Sequence, residues 1–151
     1  MKILMVCLGN ICRSPMAEGI LREMVRKAGI AVTTDSAGTS DYHVGEAPDR
    51  RAQAAMRKHD IDISDLRGRQ FVEEDFERFD LLLAMDRSNL RDMLRMAPNE
   101  TLAAKAQLVM DYAPAHRERE VPDPYYGGDE GFDHVYHMLT EACQNILKDV
   151  R

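Results

Sequence analysis

"KILMVCLGNICRSPMAEGILREMVRKAG", residues 2–29, carries three patterns in one short run. Lys2–Cys7 is a nearly unbroken apolar stretch, which fits a strand covered on both faces. From Pro15 to Gly29 apolar residues recur at helical spacing. Pro15 suits the first helical position, Ser14 the N-cap before it, and Gly29 the stop. Between strand and helix lie a glycine, an asparagine, a second cysteine and an arginine. A plain connecting turn needs none of that reactivity.

Further along, Ile30–Ser36 ("IAVTTDS") reads as a strand, "PDRRAQAAMRKHD" as a helix led by Pro48, and Phe79–Met85 ("FDLLLAM") as a buried strand. "SNLRDMLRM" is expected to be a helix capped by Ser88, and Ala106–Tyr112 ("AQLVMDY") a fourth strand. A last helix over Phe132–Val150 would align Phe132, Val135, Leu139, Ala142, Ile146 and Val150 on one face. Strands alternating with helices imply parallel pairing through right-handed crossovers. The fold class expected is α/β: a small open parallel sheet of about four strands with helices on both faces, a flavodoxin-like three-layer architecture. Ligands of such folds bind beyond the carboxyl ends of the strands, where the loop after Cys7 would lie.

At 151 residues, 44% hydrophobic and 30% charged, the chain reads as one globular domain, residues 1–151. A net charge of -6 argues against a broad basic face for nucleic acid. No run is long enough to span a membrane, and "MKILMVC" is too short for a signal peptide's apolar region, so no membrane partner and a cytoplasmic address are expected. Cys7, Cys12 and Cys143 lack metal-ligand or disulfide-framework spacing. Free thiols are expected, with no metal and no cofactor, and Cys143 as an inert, partly buried one. The ten methionines, Met93 and Met96 among them, read as core fillers, and "RERE" and "VEEDFER" as solvated faces. His59, His116, His134 and His137 fall in polar or helical contexts.

Successive backbone amides running into a helix N-terminus form an anion site, because the donors converge and the helix dipole adds positive potential. Residues 8–13 can supply that arch. Gly9 permits close approach and unusual dihedrals, Asn10 tolerates the left-handed region, and Arg13 offers a planar fork for two oxygens of a phosphate. A thiol at the base of such an arch favours its thiolate, which makes Cys7 a candidate nucleophile with Ser14 as hydroxyl donor to the sulfur. A bare C-x5-R match equally fits a buried strand-end cysteine beside an ordinary arginine; the strand before it and the helix after it favour the catalytic reading. "VPDPYYGG" supplies Asp123, held extended by Pro124, as a proton donor, with Tyr125 and Tyr126 as walls.

With these residues the chain resembles the low-molecular-weight protein tyrosine phosphatases. "VCLGNICRSP", "DSAGTSDYHVG", "GRQ", "AMDRSNLRD" and "DPYYGG" occur in the family's order across nearly the whole chain. The resemblance implies hydrolysis of phosphotyrosine, and of aryl phosphates, through a cysteinyl-phosphate. Cys7 is then the nucleophile, Arg13 the phosphate clamp and Asp123 the general acid and then base. It implies that Gly9, Asn10, Ile11, Cys12 and Ser14 shape the phosphate loop, supported by Ser36 and Asp86. Leu8, Tyr42, His43, Tyr125 and Tyr126 would line the substrate entrance. Phosphotyrosine-containing proteins are the expected partners, with inorganic phosphate or other oxyanions as product or inhibitors. One departure is Leu66 in "SDLRGRQ", where relatives often carry a His that helps tether the loop asparagine. Arsenate reductases of the same architecture use a further cysteine pair, absent from "LLLAMDRSNLRDM"; protein arginine phosphatases typically carry Thr at the position of Ile11. A phosphate-binding module without turnover would need neither Cys7 nor Asp123. Cys12, in the same loop, has two readings: it condenses with a sulfenic acid on Cys7 and so protects it, or it merely fills space at the helix start.

Overall fold

The structure is a computed structural model describing residues 1–151. Strand β1 (Lys2–Cys7) leads to helix α1 (Arg13–Ala28), β2 (Thr33–Gly38), α2 (Arg50–Arg57), α3 (Asp75–Arg78) and β3 (Leu81–Ala84). Then follow α4 (Arg87–Arg95), α5 (Glu100–Ala103), β4 (Ala106–Leu108), a 3-10 turn over Val109–Tyr112, and α6 (Asp129–Val150). The strands are all parallel in the order β2-β1-β3-β4. The chain therefore turns one way from β1 to reach β2 and the other way to reach β3, and the crevice of that reversal opens beyond Cys7.

The alternation of side chains along β1 divides the core in two. Ile3, Met5 and Cys7 join the cluster built with Met16, Ile20 and Leu139 of α1 and α6. Leu4 and Val6 join the opposite cluster with Phe71, Phe76 and Met93. Both faces of the sheet are thus covered, as the α/β reading expects. No helix is long and apolar enough to cross a membrane.

Element boundaries depart from the sequence expectations where local bonds intervene. Gly29 adopts the left-handed conformation (φ 66°), and its N–H and that of Ile30 cap the carbonyls of Arg26 and Val25. Residues 30–32 thereby serve the exit from α1, and β2 begins only at Thr33. Ser14 is not the N-cap: α1 starts at Arg13, and Cys12 at the cap position makes no side-chain cap bond. Asp86, not Ser88, caps α4 by accepting from the Asn89 amide at 2.7 Å. Asp49 caps α2, so Pro48 lies just outside it. The fourth strand stops at Leu108, and α6 starts already at Asp129.

"VEEDFER" holds the short α3 with Asp75 and Phe76 fully buried, and Asp75 is paired with Arg69 at 3.0 Å. In "RERE", Arg119 donates to the carbonyls of Met110, Ala113 and His116, so it fastens the chain after the 3-10 turn instead of facing water freely. Met93 is core, but Met96 is 40% exposed. Cys143 is fully rather than partly buried, and burial pushes its thiol up to about 12. His59 stacks on Tyr136 at 3.7 Å, and His134 meets Glu118 at 2.7 Å.

Candidate active site

Cys7 ends the central strand, and its Sγ sits at the floor of a cavity of about 200 Å³ at the carboxyl edge of the sheet. The Asn10 amide donates to Sγ at 3.3 Å, and Ser14 Oγ lies 3.0 Å from it. The amides of Leu8, Gly9, Ile11 and Cys12 donate to no acceptor in the protein, and those four residues line the cavity. A ring of unspent donors around a sulfur is a receptor for an oxyanion.

Asn10 fixes this loop. It takes the left-handed conformation (φ 58°), and its side chain uses both ends. Nδ2 donates to Ser14 Oγ at 2.7 Å and Ser36 Oγ at 3.0 Å, while Oδ1 accepts the Arg69 amide at 3.0 Å. With Asn10 donating to Ser14 Oγ, the Ser14 hydroxyl's own proton has two acceptors in reach, Cys7 Sγ at 3.0 Å and the Ala37 carbonyl at 3.5 Å. Ser36 Oγ donates to Glu18 Oε1 at 2.7 Å. Burial pushes the Glu18 carboxyl up, outweighing the bond from Ser36. Asn10 and Ser14 therefore turn their side chains beneath the loop, with Ser36. Leu66 packs against the larger core cluster, and the Arg69 amide, Ser14 and Ser36 hold Asn10 without a histidine.

Gly9 does not use the left-handed region; its lack of a side chain matters because a Cβ there would sit 3.1 Å from the His43 ring. Closer squeezes are at Gly38, where a Cβ would come 2.7 Å from the Leu8 carbonyl oxygen, and at Gly68, where it would come closer still to that of His43.

Arg13 is 3% exposed, and its Nη1 donates to Asp86 Oδ2 at 2.6 Å and to the Val121 carbonyl at 3.1 Å. Its Nη2 lies 3.7 Å from Asp123 Oδ2. Burial pulls the guanidinium pKa down, but Cys7, Asp86 and Asp123 outweigh it and leave it raised. Asp86 thus joins two tasks, capping α4 with one oxygen and orienting Arg13 with the other.

Asp123 lies on the opposite wall, and its Oδ1 accepts the Tyr125 amide at 3.0 Å. Leu8, Tyr42, His43, Tyr125 and Tyr126 form the mouth; Tyr126 is 91% exposed, and Tyr125 meets it edge to face at 5.0 Å. His43 Nδ1 is 3.0 Å from Glu46. Cys12 also faces the cavity, and burial first, then Asp49 and Cys7, push its thiol up. Cys7, Cys12 and Cys143 are all free.

Sequence reasoning missed Glu18, Asp49, Arg51 and Arg69. Arg69 lies inside the quoted "GRQ", yet its contribution is a backbone amide plus a fork on Asp35 and Asp75, which no spacing rule reveals. Arg51 donates to the carbonyls of Tyr125 and Gly127, contacts set by tertiary approach alone.

A family model described as low molecular weight phosphotyrosine protein phosphatase matches residues 2–151. The chain is 44% identical to the low molecular weight protein-tyrosine-phosphatase of Streptomyces coelicolor, over 99% of this chain and 93% of that protein. The crystal structure of a protein tyrosine phosphatase from Entamoeba histolytica, with Hepes in its active site, superimposes with a TM-score of 0.95. It is 38% identical, covering 99% of this chain and 96% of that one. A Drosophila arginine phosphatase superimposes with a TM-score of 0.93 at 35% identity, covering 100% and 98%.

Proposed function

This chain belongs to the low molecular weight phosphotyrosine protein phosphatase family, and on that premise we propose that it hydrolyses phosphotyrosine with Cys7 as nucleophile, Arg13 as phosphate clamp and Asp123 as general acid and base. One arrangement carries the assignment: Sγ of Cys7 bonded by the Asn10 amide and Ser14, with Arg13 and Asp123 3.7 Å apart on the same cavity.

The unspent amides of the loop and the fork of Arg13 bind the phosphate's oxygens and stabilise the charge spread over them in transfer. The Cys7 thiolate attacks phosphorus as the bond to the tyrosine oxygen breaks. Asp123 gives that oxygen its proton, so the leaving group departs as a neutral phenol. The Asp123 carboxylate then takes a proton from water, whose oxygen attacks the phosphocysteine. Cys7 leaves as thiolate, received by the Ser14 hydroxyl and the Asn10 amide. Ser36 and Asp86 support the loop and Arg13, while Leu8, Tyr42, His43, Tyr125 and Tyr126 guide the tyrosyl ring in.

The substrates are phosphotyrosine-containing proteins, inorganic phosphate is product and inhibitor, and residues 1–151 act as one phosphatase domain in the cytoplasm without metal or cofactor. Phosphoarginine is the rival substrate, given the Drosophila relative. Ile11, on the cavity wall, favours an aromatic ring over the longer guanidino chain.

Turnover of phosphotyrosine and phosphoarginine peptides by wild type, Cys7→Ser and Asp123→Ala tests the proposal. Cys7→Ser is expected to lose all turnover while still binding phosphate. Asp123→Ala should lose about 10²–10⁴-fold on phosphotyrosine. Near-wild-type turnover by Cys7→Ser, or preference for phosphoarginine, would refute it.

A further inference from the structure

We infer that Arg51 is a positioning residue that sets the reach of Asp123 over the phosphate loop. The inference rests on the reading of Asp123 as general acid. Arg51 Nη2 donates to the Tyr125 carbonyl at 2.8 Å and Nη1 to the Gly127 carbonyl at 3.2 Å. These are the only hydrogen bonds reaching residues 122–127 from elsewhere in the fold. The same guanidinium grips Asp49, with Nε on Oδ1 and Nη2 on Oδ2, each at 3.2 Å. It lies over the rings of Tyr125 and Phe132, 5.5 and 4.8 Å from their centroids.

Asp49 connects this clamp to the nucleophile's loop. Its amide donates to the Ile11 carbonyl at 2.8 Å, and its Oδ1 caps α2 by accepting the Arg51 amide at 2.8 Å. On the other side, the Tyr125 amide holds Asp123 Oδ1 at 3.0 Å. An unbroken chain of bonds therefore runs from Ile11 through Asp49, Arg51 and Tyr125 to Asp123. It ties the phosphate loop to the acid's loop at a fixed separation, independently of Arg13. Only a planar fork meets two carbonyls and a carboxylate together while stacking on rings; an ammonium cannot. Arg51 touches neither the phosphate's loop amides nor the sulfur, so its loss should spare phosphate binding and loosen proton delivery.

Proton donation matters most when the leaving phenol is weakly acidic. The test compares kcat/KM for phenyl phosphate and dinitrophenyl phosphate in wild type, Arg51→Met, Arg51→Lys, Asp123→Ala and the Arg51→Met/Asp123→Ala double variant, with the inhibition constant of inorganic phosphate for each. Arg51→Met, which keeps the stem over Phe132, should lose about 10-fold on phenyl phosphate and less than about 2-fold on dinitrophenyl phosphate, in line with the cost of a misplaced group. Arg51→Lys should not rescue it. Phosphate inhibition should stay within about 2-fold, and Arg51→Met should cost nothing further once Asp123 is gone. Equal losses on both esters, weakened phosphate inhibition, or an undiminished loss in the double variant would overturn the clamp while leaving the acid assignment intact. If Asp123→Ala itself shows no dependence on the leaving group, the general-acid reading falls and the clamp with it.

Discussion

Replacing Asn10 separates two contributions that this residue combines, its backbone conformation and its side-chain bonds. At φ 58° an alanine suffers the left-handed penalty of about 1–2 kcal/mol, whereas a glycine does not. Both substitutions remove the bonds to Ser14, Ser36 and the Arg69 amide, each worth about 1 kcal/mol net, or about 3 kcal/mol together. Asn10→Gly should therefore destabilise by about 3 kcal/mol and Asn10→Ala by about 4–5 kcal/mol, within reach of an ordinary domain's total of about 5–15 kcal/mol. Urea unfolding followed by circular dichroism in phosphate-free buffer measures both, provided the slopes agree with wild type. If alanine proves as stable as glycine, the conformational part of the argument is wrong. Should both stay within about 0.5 kcal/mol of wild type, the side-chain network contributes nothing.

Three further outcomes are expected. Glu18 has a raised carboxyl pKa, so the folded state holds its proton after the unfolded chain has released it, and stability falls as pH rises through that window above 4.5. Glu18→Gln keeps an acceptor for Ser36 and should stabilise the protein at pH 7 but not at pH 4; an equal effect at both would count against a strained carboxylate. If the Cys12 thiol condenses with a Cys7 sulfenic acid, releasing water, dithiothreitol should restore wild type after peroxide but not Cys12→Ser. Equal recovery would leave Cys12 as a packing residue. Activity should survive EDTA, and loss reversed by zinc or magnesium would contradict a metal-free mechanism.

The strand, loop and helix around Cys7 were legible because apolar run, glycine, asparagine and proline all favour the same local geometry. What the sequence obscured were choices between neighbours. Asp86 and Ser88 both suit a cap, and Asp86 takes the role by accepting the Asn89 amide while its other oxygen meets Arg13. Ser14 looks like a cap because it precedes Pro15, yet the demand of Cys7 and Asn10 for its hydroxyl prevails. Asp75 looks solvated within a run of charges, but Arg69 arrives from outside that run and makes its burial tolerable. Arg51 was hidden for a related reason: its partners on the loop of Asp123 are backbone carbonyls, which leave no mark in side-chain chemistry.

The place of β1 at the centre of the sheet, paired on both sides, has a kinetic meaning. Amides of β1 should exchange with deuterated solvent only through global unfolding, so the nucleophile is anchored to the last part of the molecule to open. Asp123 rides on residues 122–127, which form no helix or strand and are hydrogen-bonded to the rest of the fold through Arg51 alone. That segment can open while the sheet stays shut. In rising denaturant the enzyme should first lose its ability to expel a poor leaving group, and only later its hold on phosphate.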